Sequence, residues 1–221
     1  MTNNPAKFMN KRYADALLNV GSIRIGTLED FRQLEHGGLI SDPMEGAVVG
    51  TIANFNGAFR ELESSNSYGW AKNSIRGFSP DQHIEIVDSS YFRTVDHYVF
   101  CASRTLSRQT RGAAEATGYD ACVEIIDPMR FGYVISNRLR QEGLVPHSIR
   151  PLFKFDAVRY QTREFDASQA PCHPPDPYIK RQQFSSQEEV RWVFPSSPRR
   201  RPLNPINYVL PELISCCARA Y

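Results

Sequence analysis

The sequence predicts an α+β fold: a mixed, mainly antiparallel sheet with a few peripheral helices, in one domain spanning residues 1–221. Three observations lead there. Several short segments alternate apolar and polar residues or run apolar for about six positions, as strands do. Helical spacing is confined to a few stretches. Strands and helices do not alternate regularly, which argues against a parallel β-α-β architecture. Hydrophobic residues are 41% of the chain, enough for one sizeable core.

Lys7-Phe8-Met9 reads as a short strand, and Lys11 to Val20 as a helix with Tyr13, Ala14, Leu17 and Leu18 on one side, stopped by Gly21. Ser22 to Thr27 alternates, so it is a strand from which Arg24 projects opposite Ile23 and Ile25. A short helix carrying Phe31 follows, then Asp42-Pro43 with Glu45, a capping pattern for a further helix. Residues 47 to 80 show no clean period and read as an ordered, loop-rich region, with Val48 to Phe55 its best strand. His83 to Val87 alternates, and Tyr98 to Ser103 is a buried central strand ending in hydroxyls and a cation. Thr105 to Thr117 reads as a short helix or a loop. Tyr119 to Ile126 is a strand, and Asp127-Pro128 caps a helix to about Arg140. Phe153 to Tyr160 alternates as one strand, and the prolines between 164 and 177 make an irregular loop. Phe184 to Glu189 is a polar lead into the alternation Val190, Trp192, Phe194, read as a half-buried strand with Gln187 and Glu189 on one face and Glu188 on the other. Asn207 to Ala218 closes the chain as a helix or strand interrupted by Pro211.

Composition narrows the function classes. No run approaches the ~20 apolar residues of a membrane span, and Met1 to Lys7 lacks the apolar core of a signal peptide, so a cytoplasmic protein with no membrane partner is expected. Five cysteines without C-x-x-C spacing read as reduced thiols, and the five histidines show no paired spacing for a metal. A formal charge of +2 does not by itself argue for nucleic acid, though Arg199-Arg200-Arg201 and Arg104, Arg108 and Arg111 cluster locally.

The serine-hydrolase, phosphate-loop, dinucleotide and zinc-protease motifs are all absent. What remains is a cation on an early strand (Arg24, or Lys7), a hydroxyl at the end of a middle strand (Ser103), and Gln187-x-Glu189 opening a late strand. Each has a plain structural alternative. Arg24 can be an exposed strand arginine, Asp42 and Glu45 can be capping groups, and Glu189 with Arg191 can be an ion pair worth at most ~1 kcal/mol if exposed.

The order Lys7-Phe8, Tyr13-Ala14, Leu17-Leu18, Gly21, Phe31, Asp42-Pro43, Glu45, Phe100-Cys101-Ala102-Ser103, Val158-x-Tyr160, Phe184 and Gln187-x-Glu189-x-Arg191 resembles the bacterial domain of unknown function 2971 family, part of which is associated with abortive phage resistance. Where that family has Glu, this chain has Gln187. The set Arg24, Ser103 and Gln187-x-Glu189 is similar to that of ADP-ribosyltransferase toxins, although Cys101 and Ala102 depart from the family's Ser-Thr-Ser strand. The resemblance implies an ADP-ribosyltransferase-like fold and NAD as substrate. Glu189 would hold the nicotinamide ribose, Gln187 would help select the acceptor, and Arg24, Ser103, Lys7 and Tyr13 would hold the cofactor. It further implies a toxin or anti-phage effector acting on nucleic acid or protein, with an antitoxin protein as partner. Two alternatives stay open: a non-enzymatic domain of the same family sensing a nucleotide or phage component, and a metal-dependent nuclease using Asp42, Glu45 and Glu189.

Overall fold

The computed structural model describes residues 4–32, 47–64, 79–93, 96–146, 148, 151–161, 164–166, 176–196 and 203–221. The chain begins with β1 (Ala6–Met9), α1 (Lys11–Val20), β2 (Ser22–Thr27) and α2 (Leu28–Arg32). After them come β3 (Ala47–Ala58), α3 (Phe59–Ser64), β4 (His83–Arg93), β5 (Tyr98–Ser103), α4 (Arg108–Glu115), β6 (Ala121–Ile125) and α5 (Pro128–Gln141). The remainder is β7 (Lys154–Ala157), β8 (Arg159–Tyr160), β9 (Glu164–Asp166), β10 (Ile179–Lys180), a 3-10 helix Gln182–Gln187, β11 (Glu189–Phe194), β12 (Ile206–Val209), a 3-10 helix Pro211–Cys216 and β13 (Cys217–Arg219). The capping pattern at Asp42 to Glu45, most of the Pro-rich loop and Arg199 to Arg201 lie outside the described residues. Among the described residues no helix is long and apolar enough to cross a membrane.

Contacts group the chain into two compact units: Met1–Glu45 with Val95–Gln161 and Pro177–Tyr221, and Gly46–Thr94 with Thr162–Asp176. In the smaller unit β3 and β4 pair antiparallel with a register shift between Ile52 and Phe55, and β9 pairs with β3 in parallel. The sequence underestimated this ribbon because Gly50, Asn54, Asn56 and Gly57 interrupt the side-chain period. Backbone pairing does not need that period.

The larger unit is built on a sheet ordered β12-β2-β5-β1-β6-β13, with β11 and then β7 on the other edge of β5. All pairings within this sheet are antiparallel, and β8 and β10 form a separate parallel pair. β5 is the hub. β11 runs along its whole length from Tyr98 to Ser103. The opposite edge is shared, with β2 bridging Tyr98 and Val99 and β1 bridging Ser103. Phe100, Cys101 and Ala102 therefore face a gap between two strands.

One face of this sheet packs on α1 and α5. Ala14, Leu17, Phe131, Ile135 and Leu139 meet Phe100, Val190, Trp192 and Phe194 in the main core. The other face is covered as well, by Leu28 and Tyr178 against Val99 and Val193, with Phe31 and Cys101 beside them. β11 is thus buried at every residue, and the expected half-buried strand is corrected. Its second face carries charge, which in sequence reads like a solvent face. The single strand expected over Phe153 to Tyr160 is likewise two strands, broken at Val158, whose N–H donates to the Glu189 carbonyl at 2.9 Å.

Local chemistry sets the helix ends. Asp120 accepts from the Lys11 N–H at 2.6 Å and so caps α1 from a distant segment. Ser107 and Thr110 satisfy each other's backbone N–H groups at the start of α4. Asp127 accepts from Arg130 N–H at 2.9 Å, with Pro128 opening α5. Gly21 ends α1 at φ 71°, and a Cβ there would lie 2.0 Å from the Leu210 carbonyl oxygen. Gly21→Ala is expected to cost about 2–3 kcal/mol, from the left-handed backbone and the clash with main chain. Urea unfolding checks this: the midpoint falls with an unchanged slope.

Candidate functional site

The site grows from the turn ahead of β11. The 3-10 helix Gln182–Gln187 ends at Glu188, whose backbone is left-handed at φ 43°, ψ 49°. Non-glycine residues seldom adopt that conformation. Here it is held by Arg104 N–H donating to the Glu188 carbonyl at 2.6 Å and by Glu188 N–H donating to the Ser185 carbonyl at 3.2 Å. The Glu188 carboxylate accepts from the Thr105 hydroxyl at 3.3 Å. Gln187 and Glu189 do come together, but through this turn and not through strand alternation. The Lys180 ammonium donates to Gln187 Oε1 at 2.8 Å and to Glu189 Oε2 at 2.9 Å.

Glu189 is 6% exposed and both its oxygens are engaged. Arg191 Nε donates to Oε1 at 2.5 Å, completing a cluster of two buried cations and one carboxylate. The Cys101 thiol lies close enough to the same carboxylate to help hold its charge. The Glu189 N–H donates to the Tyr160 hydroxyl at 2.7 Å. Arg191 also donates to the Pro177 carbonyl, and the Lys180 ammonium lies 4.9 Å from the Phe184 ring centre. Burial alone pushes a carboxyl's pKa up. The Arg191 guanidinium and Lys180 ammonium outweigh that and hold Glu189 well below the usual carboxylate range. Burial pushes the Cys101 thiol in the other direction, and Glu189 adds to the rise, so this cysteine stays protonated.

A cavity of about 500 Å³ opens beside this cluster, within the 300–1,000 Å³ typical of small-molecule sites. Lys7, Ser103, Lys180, Gln187, Glu189 and Arg191 supply its polar wall. Ser103 and Glu189 are register partners across β5 and β11, so the pleat puts both on one face. Lys7 lies at the gap in the edge of β5, its ammonium 5.2 Å from the Phe100 ring centre. It keeps part of its surface toward the cavity. Burial nonetheless lowers its pKa, with partial compensation from Cys101 and Glu189.

Of the residues singled out in the sequence, Lys7, Ser103, Gln187 and Glu189 share this cavity. Arg24 and Tyr13 are not on its wall. Arg24 is half-exposed and bonds Asp30 at 2.9 Å. Tyr13 is 53% exposed on α1 beside Arg12. The β2–β5 register, Gly26 opposite Val99, puts Arg24 on the sheet face of Ser103 and Glu189 and near enough to Lys7 to be felt there, but its guanidinium is paired with Asp30 and does not line the cavity. Lys180 was missed by sequence reasoning, as was the part played by Cys101. Lys180 has one signal in the sequence, a cation directly after Tyr178-Ile179 and next to a Pro-rich segment, but no motif spacing marks it.

Fold and site together define a class: a mixed α/β protein with a mainly antiparallel sheet, whose two central strands present a buried, cation-clamped glutamate to a cavity. No protein-family model, curated protein or solved structure matches the chain.

Proposed function

We propose that the chain is an NAD-dependent ADP-ribosyltransferase of the toxin or anti-phage effector type, working in the cavity beside Glu189. The observation that carries this reading is the facing register of Ser103 and Glu189 on adjacent central strands, with Lys7 and Gln187 on the same cavity wall. It is supported by a second pattern: Val158, Tyr160 and Arg191, which carry the family resemblance, all bond to Glu189.

The chemistry follows from charge. Breaking the bond between nicotinamide and ribose C1′ leaves positive charge on the sugar, and nicotinamide departs with the bonding electrons. A fixed carboxylate attracts that cation more strongly than the neutral ground state, which lowers the barrier. Glu189 is held in place for this by Lys180 and Arg191. Because those cations lower its pKa, it is a poor base, so its role is electrostatic. Gln187 cannot take a proton either. The acceptor nucleophile bonds C1′ and loses its proton to solvent. Lys7 holds the phosphates, Ser103 bonds the cofactor, and Phe8, Phe31 and Phe184 give flat apolar surface for its rings. The acceptor is nucleic acid or protein, and an antitoxin protein is the expected partner. Arg108 and Arg111 on α4 favour nucleic acid.

A second reading, a non-enzymatic domain sensing a nucleotide or phage component, is favoured by one observation: both Glu189 oxygens already have cationic partners. The nuclease reading relied on Asp42 and Glu45, which lie outside the described residues. One assay separates the first two. The intact chain is incubated with NAD and with RNA, DNA or protein acceptors, and nicotinamide is followed. Release that needs an acceptor and is lost in Glu189→Gln is the expected result. No release with any acceptor, together with equal NAD affinity of parent and Glu189→Gln, would leave the sensor reading.

A further inference from the structure

The described wall of the cavity carries three cations, Lys7, Lys180 and Arg191, and a single carboxylate, Glu189. That carboxylate is shared by two of the cations, Arg191 on one oxygen and Lys180 on the other. The third is left over. Among the described residues the Lys7 ammonium makes no ion pair and no hydrogen bond, and its close contact is the Phe100 ring at 5.2 Å. A half-buried cation without a partner among the described residues, on the wall of a cavity with room for a ligand, favours a ligand that brings negative charge. The wall also has a movable element. Lys180 donates to a neutral amide and a carboxylate at once, and lysine's flexible stem lets its point charge change partner at little geometric cost.

We infer that Lys7 and Lys180 form a receptor for a phosphate-type anion on the ligand, and that the anion takes the Lys180 ammonium from Glu189, leaving that carboxylate to Arg191. The handover deepens the NAD reading and rests on it for its purpose. Without ligand the carboxylate is fully occupied. With the phosphate in place Oε2 is released toward the reacting sugar, so the site becomes competent only when filled. Charge balance improves in the same step, because the anion compensates Lys7. Lys7's lowered pKa then rises.

The test uses the intact chain with inorganic pyrophosphate, ADP and adenosine, read by calorimetry. Pyrophosphate and ADP bind, and adenosine binds at least about ten-fold more weakly than ADP, which is about 1.4 kcal/mol. Equal binding of adenosine and ADP overturns the receptor. Lys7→Met weakens pyrophosphate about ten-fold and Lys7→Arg restores most of it, whereas unchanged binding in Lys7→Met overturns the assignment. In protein labelled with 15N-lysine, pyrophosphate shifts two ammonium resonances. This arm needs no variant, and the absence of any shift also overturns the receptor. The handover has its own cycle. Glu189→Gln tightens pyrophosphate binding several-fold, and the gain shrinks when Lys180 is already Met. An equal gain in both backgrounds contradicts transfer through Lys180. Pyrophosphate binding without nicotinamide release removes the NAD reading and keeps the receptor, and nicotinamide release without pyrophosphate binding does the reverse.

Discussion

Replacing Glu189 with alanine is expected to lower the unfolding free energy by about 3–5 kcal/mol, because it removes the carboxylate that two buried cations share. Lys180 and Arg191 are 4% and 1% exposed and their charges meet on this one carboxylate. Glu189→Gln keeps the volume and one acceptor oxygen, so it costs less and retains the fold. The pair of variants therefore separates charge from packing. The same cluster fixes a pH dependence. Glu189 in the folded protein sits below its unfolded value of about 4.3, so its stabilisation is fully present above that pH and is lost as pH falls toward the folded pKa. Urea midpoints taken from pH 7 down to pH 3 check it. The parent loses stability faster than Glu189→Gln below about pH 4.3, where the unfolded chain binds the proton more readily than the folded one. Equal slopes for the two proteins would mean that the carboxylate is not held by its cations.

Trp192→Ala is expected to cost a similar about 3–5 kcal/mol for a different reason. Trp192 is fully buried at the centre of the core, stacked on Phe155 with ring centres 4.3 Å apart and edge-on to Phe100 at 5.7 Å. Its indole N–H donates to the Pro128 carbonyl at 2.8 Å, which ties β11 to the first turn of α5. Truncation leaves a cavity and removes the tie to α5 together. Because Trp192 is one residue from Arg191 on the opposite face, the site also loosens. The expected signature is a lower denaturant midpoint with reduced pyrophosphate affinity, whereas Trp192→Phe keeps most of both. Full affinity in Trp192→Ala would show that the packed face of β11 does not position the charged one.

The elements that were legible in the sequence are those whose local signals agree. α1 has an apolar stripe and a left-handed glycine at its end, α5 has Asp127-Pro128 at its start, and β5 is a short apolar run. The β3–β4 ribbon was legible only as two shorter strands, Val48 to Phe55 and His83 to Val87, because glycines and asparagines break its period while the backbone pairs regardless. At the site, Ser103 and Glu189 were readable as strand-end polar residues, and their direct opposition follows from an antiparallel register that no local pattern encodes. Lys180 was not readable for the same reason. It reaches Glu189 from β10, a two-residue strand nine positions earlier, and only the chain's return brings them together. The burial of Glu189 and Arg191 was hidden by their charge, since an alternating charged face in sequence looks like a solvent face until a second layer covers it.

The central claim is that the Glu189 carboxylate stabilises positive charge developing on a bound ribose. Single-turnover release of nicotinamide from NAD, compared between the parent and Glu189→Gln at matched occupancy, tests it most directly. The account expects the rate to fall about 10²–10³-fold while NAD affinity changes little, as for removal of one preorganised electrostatic contact. Release at the parental rate by Glu189→Gln, or no release by the parent with any acceptor, would contradict it.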